Sequence, residues 1–281
     1  MAVKITADST CDLSGSLVKE NGIIITPLYV NYEGNSYRDG VDIKPSDIFD
    51  YVAKTKKLPK TSAGTIGDYT EAFSKILAKG DSVVHISIGS KFSASYQNAL
   101  AAASELDGDV YVVDSKNLST GSGFVVLKAA ALAREGKSAT KIAEELKEFT
   151  PKVRASFCID TLTFLHKGGR CSAVAVLGSN LLKIKPCIEV VDGKMDVGKK
   201  YRGHLNTVLL QYVKDLFENA DNIDTSSVFI THTGCDANLV QSVKDEIAKF
   251  IKFDNVIETI AGCTISNHCG PGTLGVLFVT K

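Results

Sequence analysis

The sequence of 281 residues contains no tryptophan and no excess of either charge, because lysine plus arginine and aspartate plus glutamate both number 32. This balance, without any run of like charges, gives no broad field for nucleic acid and no polybasic tail. No apolar stretch is long enough to cross a bilayer, and no signal-peptide core follows the first residues. We therefore expect a soluble, cytoplasmic globular protein with no nucleic acid partner and no stable membrane insertion.

The seven cysteines are scattered, odd in number and without a C-x-x-C pair. This usage favours reduced thiols in a cytosolic protein over a disulfide framework. The cysteines lack the spacing of zinc ligands, and His85, His166, His204 and His232 show no metal-ligand pattern either. We therefore expect no metal and no cofactor.

The most informative stretch runs from Ile86 to Gln97. An apolar run stops at a Gly-Ser turn, and helix-forming residues follow over 97–106, which predicts a strand, a polar loop and a helix. The loop places the hydroxyls of Ser90, Ser93 and Ser95 near the unpaired N–H groups and the positive dipole end of that helix. Such a position suits an anion. Serine is also a preferred helix cap, so simple capping is the alternative interpretation.

Strands and helices alternate through the first half of the chain. Strands are predicted at Val3–Ala7, Ile23–Val30, Ser82–Ile88 and Asp109–Val113, and helices at Ser14–Glu20, Asp47–Ala53, Tyr69–Ala78, Gln97–Leu106, Phe124–Arg134 and Lys141–Phe149. This order predicts parallel pairing through right-handed crossovers. Ligands bind such sheets beyond the carboxyl ends of the strands. The polar loops at Asp8, Ser93 and Asp114 should share that edge, and Thr61 and Ser62, upstream of a capping box at Thr65 and Asp68, could face the same crevice.

The second half is less regular. Thr150-Pro151 is the predicted boundary, which gives domains at 1–150 and 151–281. The Asp192-Gly193 pair between apolar stretches is the strongest hairpin signal of the chain. Together with later strand–helix alternation it predicts an α+β domain with a mixed sheet. A small-residue helix is predicted at Ala173–Leu182, and Gly262–Gly272 is interpreted as a Gly/Pro-rich connection before the last strand.

Five segments, taken in order, make the chain resemble the DegV family of bacterial fatty-acid-binding proteins over essentially its full length. These segments are Asp8-Ser9-Thr10, Thr61-Ser62, Phe92–Gln97, Leu162–Arg170 and His268–Gly272. The chain departs from the family pattern at three positions, where Ala63 replaces glutamine, Ala94 replaces glycine and Ser95 replaces the commoner threonine. These differences concern the shape of the pocket more than the binding function.

The resemblance implies an α/β protein with a two-domain DegV-like fold. Its N-terminal domain would be a three-layer α/β/α structure with a mainly parallel sheet, and its C-terminal domain would be α+β with a mixed sheet. One long-chain fatty acid would lie in a tunnel in the cleft between the domains. The protein would present the carboxylate of this ligand to the catalytic subunit of a fatty acid kinase, which makes acyl phosphate for phospholipid synthesis. On this interpretation the protein is not itself an enzyme.

The resemblance also assigns roles to individual residues. Thr61, Ser62 and Ser93 would hold the carboxylate, Arg170 and His268 would complete the polar network around it, and Arg202 would dock the kinase. Each has a structural alternative. His268 would cap a turn, Arg170 would be a cation at a helix C-terminus, and Arg202 would be a solvated charge.

Two enzymatic hypotheses compete with this interpretation. A stand-alone acyl hydrolase or transferase would use Ser93 as its nucleophile, but this serine is not in a G-x-S-x-G elbow and no triad order is recognisable. A phosphotransferase is suggested by the relation of the DegV fold to part of dihydroxyacetone kinases, but the sequence contains no P-loop.

Overall fold

The computed structural model describes residues 2–175, 184–218 and 221–281. These residues form two compact units. The first holds the described residues within 1–44, 59–151 and 262–264, and the second holds those within 45–58, 152–261 and 265–281. The chain passes from the first unit to the second next to the predicted boundary at Thr150-Pro151. Residues 45–58 precede this boundary but belong to the second unit, and residues 262–264 follow it but belong to the first. A sequence pattern shows that a helix is amphipathic, but not which of two cores it packs against.

The described residues form thirteen strands. In chain order they are β1 (Val3–Asp8), β2 (Ile24–Thr26), β3 (Tyr29–Tyr32), β4 (Asn35–Arg38), β5 (Lys60–Ser62), β6 (Ser82–Ser87), β7 (Val110–Asp114), β8 (Val153–Cys158), β9 (Ile184–Val191), β10 (Lys194–Arg202), β11 (Ile223–His232), β12 (Asn255–Ile260) and β13 (Leu274–Thr280).

Eleven α-helices occur in the same described ranges. They are α1 (Gly15–Glu20), α2 (Pro45–Thr55), α3 (Ile66–Leu77), α4 (Ser95–Ser104), α5 (Ser119–Arg134), α6 (Ala139–Phe149), α7 (Leu162–Gly168), α8 (Ser172–Ala175), α9 (Leu205–Phe217), α10 (Ala237–Ala248) and α11 (Cys263–Cys269). None of these helices is long and apolar enough to serve as a membrane span.

The first unit is built on a parallel sheet with the strand order β2-β1-β6-β7. All six residues of β6 are buried, which is typical of a strand covered on both faces. On one face α3 and α4 pack through Tyr69, Phe73 and Ala99 against Val83. The helices α5 and α6 also pack on β6 and cover the opposite face, so the predicted three-layer α/β/α arrangement is confirmed.

The predicted continuous strand at Ile23–Val30 is wrong. Pro27 separates β2, which belongs to the parallel sheet, from β3, which pairs with β4 and β5 in a small antiparallel sheet. Proline has no N–H to continue a ladder, so the chain changes sheets there. The strands β4 and β5 are short and mostly polar, and sequence analysis predicted neither of them.

The second unit contains a six-stranded mixed sheet with the order β10-β9-β8-β13-β11-β12, in which β11 and β12 are parallel and the other neighbours antiparallel. The mixed sheet confirms the prediction. The hairpin is also confirmed, because Val191 pairs with Lys194. Asp192 and Gly193 between them both have positive φ, at 48° and 74°, as a type I′ turn requires.

Two predictions for the second half of the chain, at residues 173–182 and 262–272, are not confirmed. The helix predicted at Ala173–Leu182 overlaps α8 at its start, and its remaining residues lie outside those described. The interpretation of Gly262–Gly272 as a connection is wrong, because α11 occupies most of it. Its residues are mainly β-branched, small or polar, with weak intrinsic helix propensity, so tertiary contacts decide the structure here.

The capping box that begins α3 consists of residues within one helical turn, and its contribution to stability can be tested by substitution. Thr65 Oγ1 accepts a hydrogen bond from the Asp68 N–H at 3.1 Å, and Asp68 Oδ2 accepts one from the Thr65 N–H at 2.8 Å. We expect Thr65→Ala to lower the free energy of unfolding by about 1 kcal/mol, because the Asp68 N–H loses its acceptor. Urea denaturation measures this change. Thr65→Ser keeps the hydroxyl acceptor, so its free energy of unfolding should stay within a few tenths of a kcal/mol of the wild-type value. An equal loss of stability in both variants would contradict the capping explanation.

Candidate functional site

The loop between β6 and α4 is fixed by contacts to the neighbouring strand end. Asp114 at the end of β7 accepts hydrogen bonds from the Ser90 N–H at 3.0 Å and the Ser90 hydroxyl at 2.6 Å. The Gly89 N–H donates to the Asn117 carbonyl at 2.8 Å. A Cβ on Gly89 would lie 3.1 Å from the Asn117 backbone nitrogen, so the close approach favours glycine. These bonds hold the loop at the carboxyl edge of the parallel sheet.

The three serines of this loop differ in what they can offer a ligand. Ser90 donates its hydroxyl to Asp114, and Ser95 is fully buried. Ser93 is half-buried. Its Oγ accepts a hydrogen bond from the Ser95 N–H at 3.2 Å and lies 2.9 Å from the Ser95 Oγ. Ser93 therefore accepts the N–H of the first residue of α4 and presents a hydroxyl at the positive end of that helix.

A buried carboxylate lies beneath this loop. Asp8, at the end of β1, is 1% exposed. Its Oδ2 accepts hydrogen bonds from the Ser87 hydroxyl at 2.8 Å and the Ile88 N–H at 2.9 Å, and its Oδ1 accepts one from the Tyr69 hydroxyl at 2.6 Å. His85 Nε2 lies 3.4 Å from the same Oδ1. Burial, the charge of Asp8 and the hydrogen bond to it raise the pKa of Tyr69 well above its usual range.

Thr61 and Ser62 lie on β5, where Thr61 pairs with Val30 and Ser62 with Tyr29. Successive side chains of a strand point to opposite faces, so these two hydroxyls point in opposite directions. Ser62 is exposed and accepts a hydrogen bond from the Asn31 side-chain amide at 3.0 Å, whereas Thr61 is half-buried. The segment that follows is joined to α4, because Asn98 Nδ2 donates to the Gly64 carbonyl at 2.8 Å.

Two more buried carboxylates hold the residues that lead into α11. Asp12 Oδ1 accepts a hydrogen bond from the Gly262 N–H at 2.9 Å, and Asp12 Oδ2 accepts one from the Ser119 hydroxyl at 2.5 Å. Asp39 accepts from the Cys263 N–H at 2.7 Å and the Thr264 N–H at 2.9 Å, one on each oxygen. Burial raises the pKa of Asp12 to about 8, and the charge of Asp39 adds to this shift. Asp39 therefore supplies the cap that the sequence of α11 lacks.

In the second unit, Arg170 and His268 each approach Gly168 near the end of α7. Gly169, with φ of 67°, ends α7, and Arg170 Nη1 then turns back to donate to the Gly168 carbonyl at 2.8 Å. A Cβ on Gly168 would lie 2.3 Å from His268 Nδ1, so this glycine lets the imidazole approach α7. Burial, with a smaller effect of the Arg170 charge, lowers the pKa of His268 to about 4.

The remaining sequence predictions concern Arg202, metal binding and the cysteines. Arg202 is exposed at the last position of β10, opposite Ile184. The described residues contain no group of three or more histidine, cysteine, aspartate or glutamate side chains that could hold a metal, and all seven cysteines are thiols. Sequence analysis did not find Tyr69 or Asp39, and it placed Asp8 only in a polar loop at the carboxyl edge of the sheet. The weak signal for Asp8 was its position at a strand end beside the serine loop.

The buried Asp12 predicts a pH dependence of stability. Its pKa is about 8 in the folded protein and 3.8 for the unperturbed group, so the folded state binds more protons between these values. Stability should therefore fall as pH rises from about 4 to 8, with a slope on the order of 1 kcal/mol per pH unit. We expect Asp12→Asn to flatten this dependence and to be more stable than wild type at pH 8, as measured by denaturation at a series of pH values.

Asp39→Asn is the matched control for that experiment. Both Asp39 oxygens accept backbone N–H groups, and an amide can replace only one of them, so we expect a loss of about 1–3 kcal/mol. Asp12→Asn keeps its bonds, since the amide oxygen accepts from Gly262 and the amide N–H₂ donates to Ser119. An unchanged pH dependence in Asp12→Asn would contradict the assignment.

The burial of His268 and the charge of Arg170 together predict the titration of the imidazole. NMR of the imidazole nitrogens should show His268 neutral at pH 6, with a pKa of about 4. Arg170→Gln should raise this pKa only part of the way to 6.5 because burial, the larger cause, remains. Arg202→Gln removes a positive charge from exposed β10 and should leave the titration of His268 unaltered. The same response to both substitutions would mean that Arg170 has no specific effect.

The chain is similar to known proteins over essentially its whole length. The family model described as "Uncharacterised protein, DegV family" matches residues 2–281. A DegV domain-containing protein of Clostridium acetobutylicum is 35% identical over 291 aligned residues, covering 99% of each chain.

Two solved structures are also similar over nearly their whole length. A fatty-acid-binding DegV family protein from Thermus thermophilus has a TM-score of 0.92 and 31% identity, with complete coverage of both chains. A stearic acid-binding protein from Eubacterium ventriosum has a TM-score of 0.86 and 28% identity, with 99% of this chain and 98% of the other covered. Fatty acid binding is thus a property of solved structures with this fold, and the full-length match shows that the chain belongs to the DegV family.

Proposed function

We propose that this protein binds one long-chain fatty acid, with its carboxylate at the hydroxyl of Ser93. The observation that carries the proposal is the position of this hydroxyl, which is half-buried at the N-terminus of a ten-residue helix. A buried carboxylate needs hydrogen-bond donors, because an unpaired charge away from water is very costly. A hydroxyl and the positive end of a helix dipole supply this stabilisation without a permanent counter-ion. The similar structures that bind fatty acids support the same ligand class.

The hydrocarbon tail would supply most of the binding free energy. Burial of one CH₂ group contributes ~0.8 kcal/mol, so a chain of about sixteen carbons gains on the order of 10 kcal/mol before ordering costs. The interdomain tunnel implied by the resemblance is part of this proposal. Because the tail supplies affinity, the headgroup contacts need only compensate the desolvation of the carboxylate and fix its position.

Thr61 is proposed as the further hydroxyl ligand from β5, because the exposed Ser62 side chain points to the opposite face of the strand and bonds to Asn31. Arg170 and His268 are proposed as residues that complete the polar network. The low pKa of His268 keeps its imidazole neutral at pH 7, so in this proposal the positive charge comes from Arg170. The guanidinium has five N–H donors, and its bond to Gly168 uses one. We propose that Arg170 orients the headgroup and balances its charge without clamping both carboxylate oxygens.

We further propose that a fatty acid kinase acts on the bound fatty acid. Hydroxyl ligation leaves a carboxylate oxygen able to attack a phosphoryl donor, whereas a bidentate arginine clamp would occupy both oxygens. In this proposal the protein presents its substrate and the partner catalyses, with Arg202 as a docking residue on an exposed strand end. Mixing the fatty-acid-loaded protein, ATP and a fatty acid kinase catalytic subunit should yield acyl phosphate, and omission of either protein should abolish the product.

Ser93→Ala tests the headgroup assignment. We expect its affinity for palmitate to fall about 10- to 100-fold, the loss typical of one hydrogen bond to a charged group. Isothermal titration against delipidated protein measures this change. Ser104→Ala is the matched control, because Ser104 ends the same helix and its hydroxyl donates to the Ala101 carbonyl. Affinity in this control should equal that of wild type, and unchanged affinity in Ser93→Ala would remove Ser93 from the site.

The alternative function, an acyl hydrolase or transferase with Ser93 as nucleophile, predicts a different outcome. A fluorophosphonate probe would label wild type but not Ser93→Ala, and acyl esters would be turned over. We expect neither labelling nor turnover, since the hydrogen-bond partner of Ser93 is another serine and not an imidazole. Stoichiometric labelling at Ser93 with ester hydrolysis would favour the enzyme.

A further inference from the structure

Two buried cysteines lie directly opposite each other on neighbouring strands of the second unit. Cys158 ends β8, and the register of the antiparallel ladder pairs it with Cys187 of β9. Directly opposite residues point to the same face of a sheet, and both side chains belong to one hydrophobic core, at 0% and 3% exposure. We call Cys158 and Cys187 the cross-strand pair.

The hydrogen bonds of the ladder show how close the two strands come at the cross-strand pair. The Ile159 N–H donates to the carbonyl of Pro186, the residue opposite it, at 3.4 Å. Hydrogen-bonded and non-hydrogen-bonded pairs alternate along an antiparallel ladder, so the cross-strand pair is non-hydrogen-bonded, with Cα atoms about 4.5 Å apart. Disulfides join Cα atoms that are roughly 4.4–6.8 Å apart. The backbone of the cross-strand pair therefore has a separation that a disulfide can span.

A cleft beside this core gives small molecules access to one of the two thiols. Its volume is about 370 Å³, and Cys187 forms part of its wall together with Tyr201, Tyr212 and Phe278. Cys158 does not line the cleft and is fully buried. The two thiols therefore differ in access, although they lie opposite each other.

We propose that the cross-strand pair is an oxidation site, at which hydrogen peroxide converts two thiols into a disulfide. In the first step the Cys187 sulfur attacks one peroxide oxygen. The S–O bond forms as the O–O bond breaks, and the departing hydroxide takes the thiol proton and leaves as water. In the second step the Cys158 sulfur attacks the sulfur of this sulfenic acid, and the S–S bond forms as the S–O bond breaks. The second hydroxide leaves as water with the Cys158 proton, so the thiols lose two electrons and the peroxide becomes two water molecules.

The environment of Cys158 suits the second step and not the first. The neighbouring Cys187 and burial raise the pKa of the Cys158 thiol well above its usual range. An uncharged thiol is a poor nucleophile, so Cys158 reacts only with an electrophile that is held against it. A sulfenic acid on Cys187 is such an electrophile, since side chains at a non-hydrogen-bonded pair lie close together. The same protection keeps the cross-strand pair reduced until an oxidant enters the cleft.

The disulfide fastens the β9–β10 hairpin to the rest of the sheet. The register pairs three residues of β9 with β8, against seven with β10, so the ladder that joins the hairpin to β8 is short. Arg202, proposed above as a docking residue, ends this hairpin. The bond also closes a loop of chain that contains α7 and Arg170. Formation of this bond does not depend on the proposed binding of a fatty acid.

Peroxide treatment of the folded protein, followed by peptide mapping, tests the oxidation site. Reduced protein is exposed to hydrogen peroxide, the remaining thiols are alkylated in urea, and the chain is digested without reductant. We expect a cross-linked peptide pair that joins Cys158 to Cys187 and that dithiothreitol separates. Cys235→Ala is the matched control, because Cys235 is the one half-buried cysteine, and the same cross-link should form without it. Recovery of Cys158 in alkylated form, or linked to any cysteine other than Cys187, would overturn the proposal.

Two single variants test the order of the steps. In Cys158→Ala the sulfenic acid on Cys187 has no partner, so dimedone should label Cys187 more strongly than in wild type. In Cys187→Ala the remaining Cys158 should stay unmodified, because it does not line the cleft. Labelling of Cys158 in the second variant, without labelling of Cys187 in the first, would contradict the assigned order.

Urea denaturation of the wild-type protein shows whether the bond fits the native strands, and it needs no variant. A disulfide restricts the unfolded chain, so the cross-linked protein should unfold at a higher urea concentration than the reduced protein. Dithiothreitol should restore the lower midpoint, and peroxide-treated Cys158→Ala should show no rise. An unchanged or lower midpoint for the cross-linked protein would mean that the strands must move to form the bond, and the proposal would then be wrong.

Discussion

The need of the buried Asp8 carboxylate for hydrogen-bond donors organises the carboxyl edge of the parallel sheet. Its charge is stabilised by a phenol, a hydroxyl and a backbone N–H from two places in the chain, Tyr69 and the adjacent residues Ser87 and Ile88. Since desolvated charge is tolerated only with such partners, β6 must end where Ser87 and Ile88 reach Asp8. The same requirement draws Tyr69 of α3 inward. The bonds at Ser87 and Ile88 also fix where the loop that carries Ser93 begins.

The backbone N–H groups at the start of α11 also depend on buried carboxyl groups, those of Asp39 and Asp12. The sequence from Cys263 to Cys269 has weak helix propensity, and its first N–H groups need acceptors. Asp39 lies 224 residues earlier in the chain than Cys263 and provides an oxygen for each of two N–H groups. Negative charge at a helix N-terminus is favourable, so the carboxylate stabilises a helix that its own residues would not form.

These contacts explain which parts of the structure could be predicted from the sequence. The parallel sheet, the hairpin at Asp192-Gly193 and the capping box at Thr65 depend on neighbouring residues or simple periodicity, and each was predicted. The change of sheet at Pro27 and the strand β5 were missed, because short polar strands are defined by their partners and not by their composition. Tyr69 was interpreted only as part of a helix, since its hydroxyl meets Asp8 across 61 residues of chain.

The candidate site shows the same division between local and distant causes. The Ser93 loop could be located because an apolar strand ends before it, and Arg170 and His268 could be named from motifs. Their chemistry could not be predicted, because it depends on distant packing. Gly168 admits the His268 ring beside α7, where a Cβ would lie 2.3 Å from Nδ1, and burial there sets the charge of the imidazole. Likewise, sequence indicates three equivalent serines, but Asp114 engages Ser90 and packing buries Ser95, which leaves Ser93 as the half-buried hydroxyl beside the helix terminus. Which side chain can meet a ligand is therefore decided by the competing partners around it.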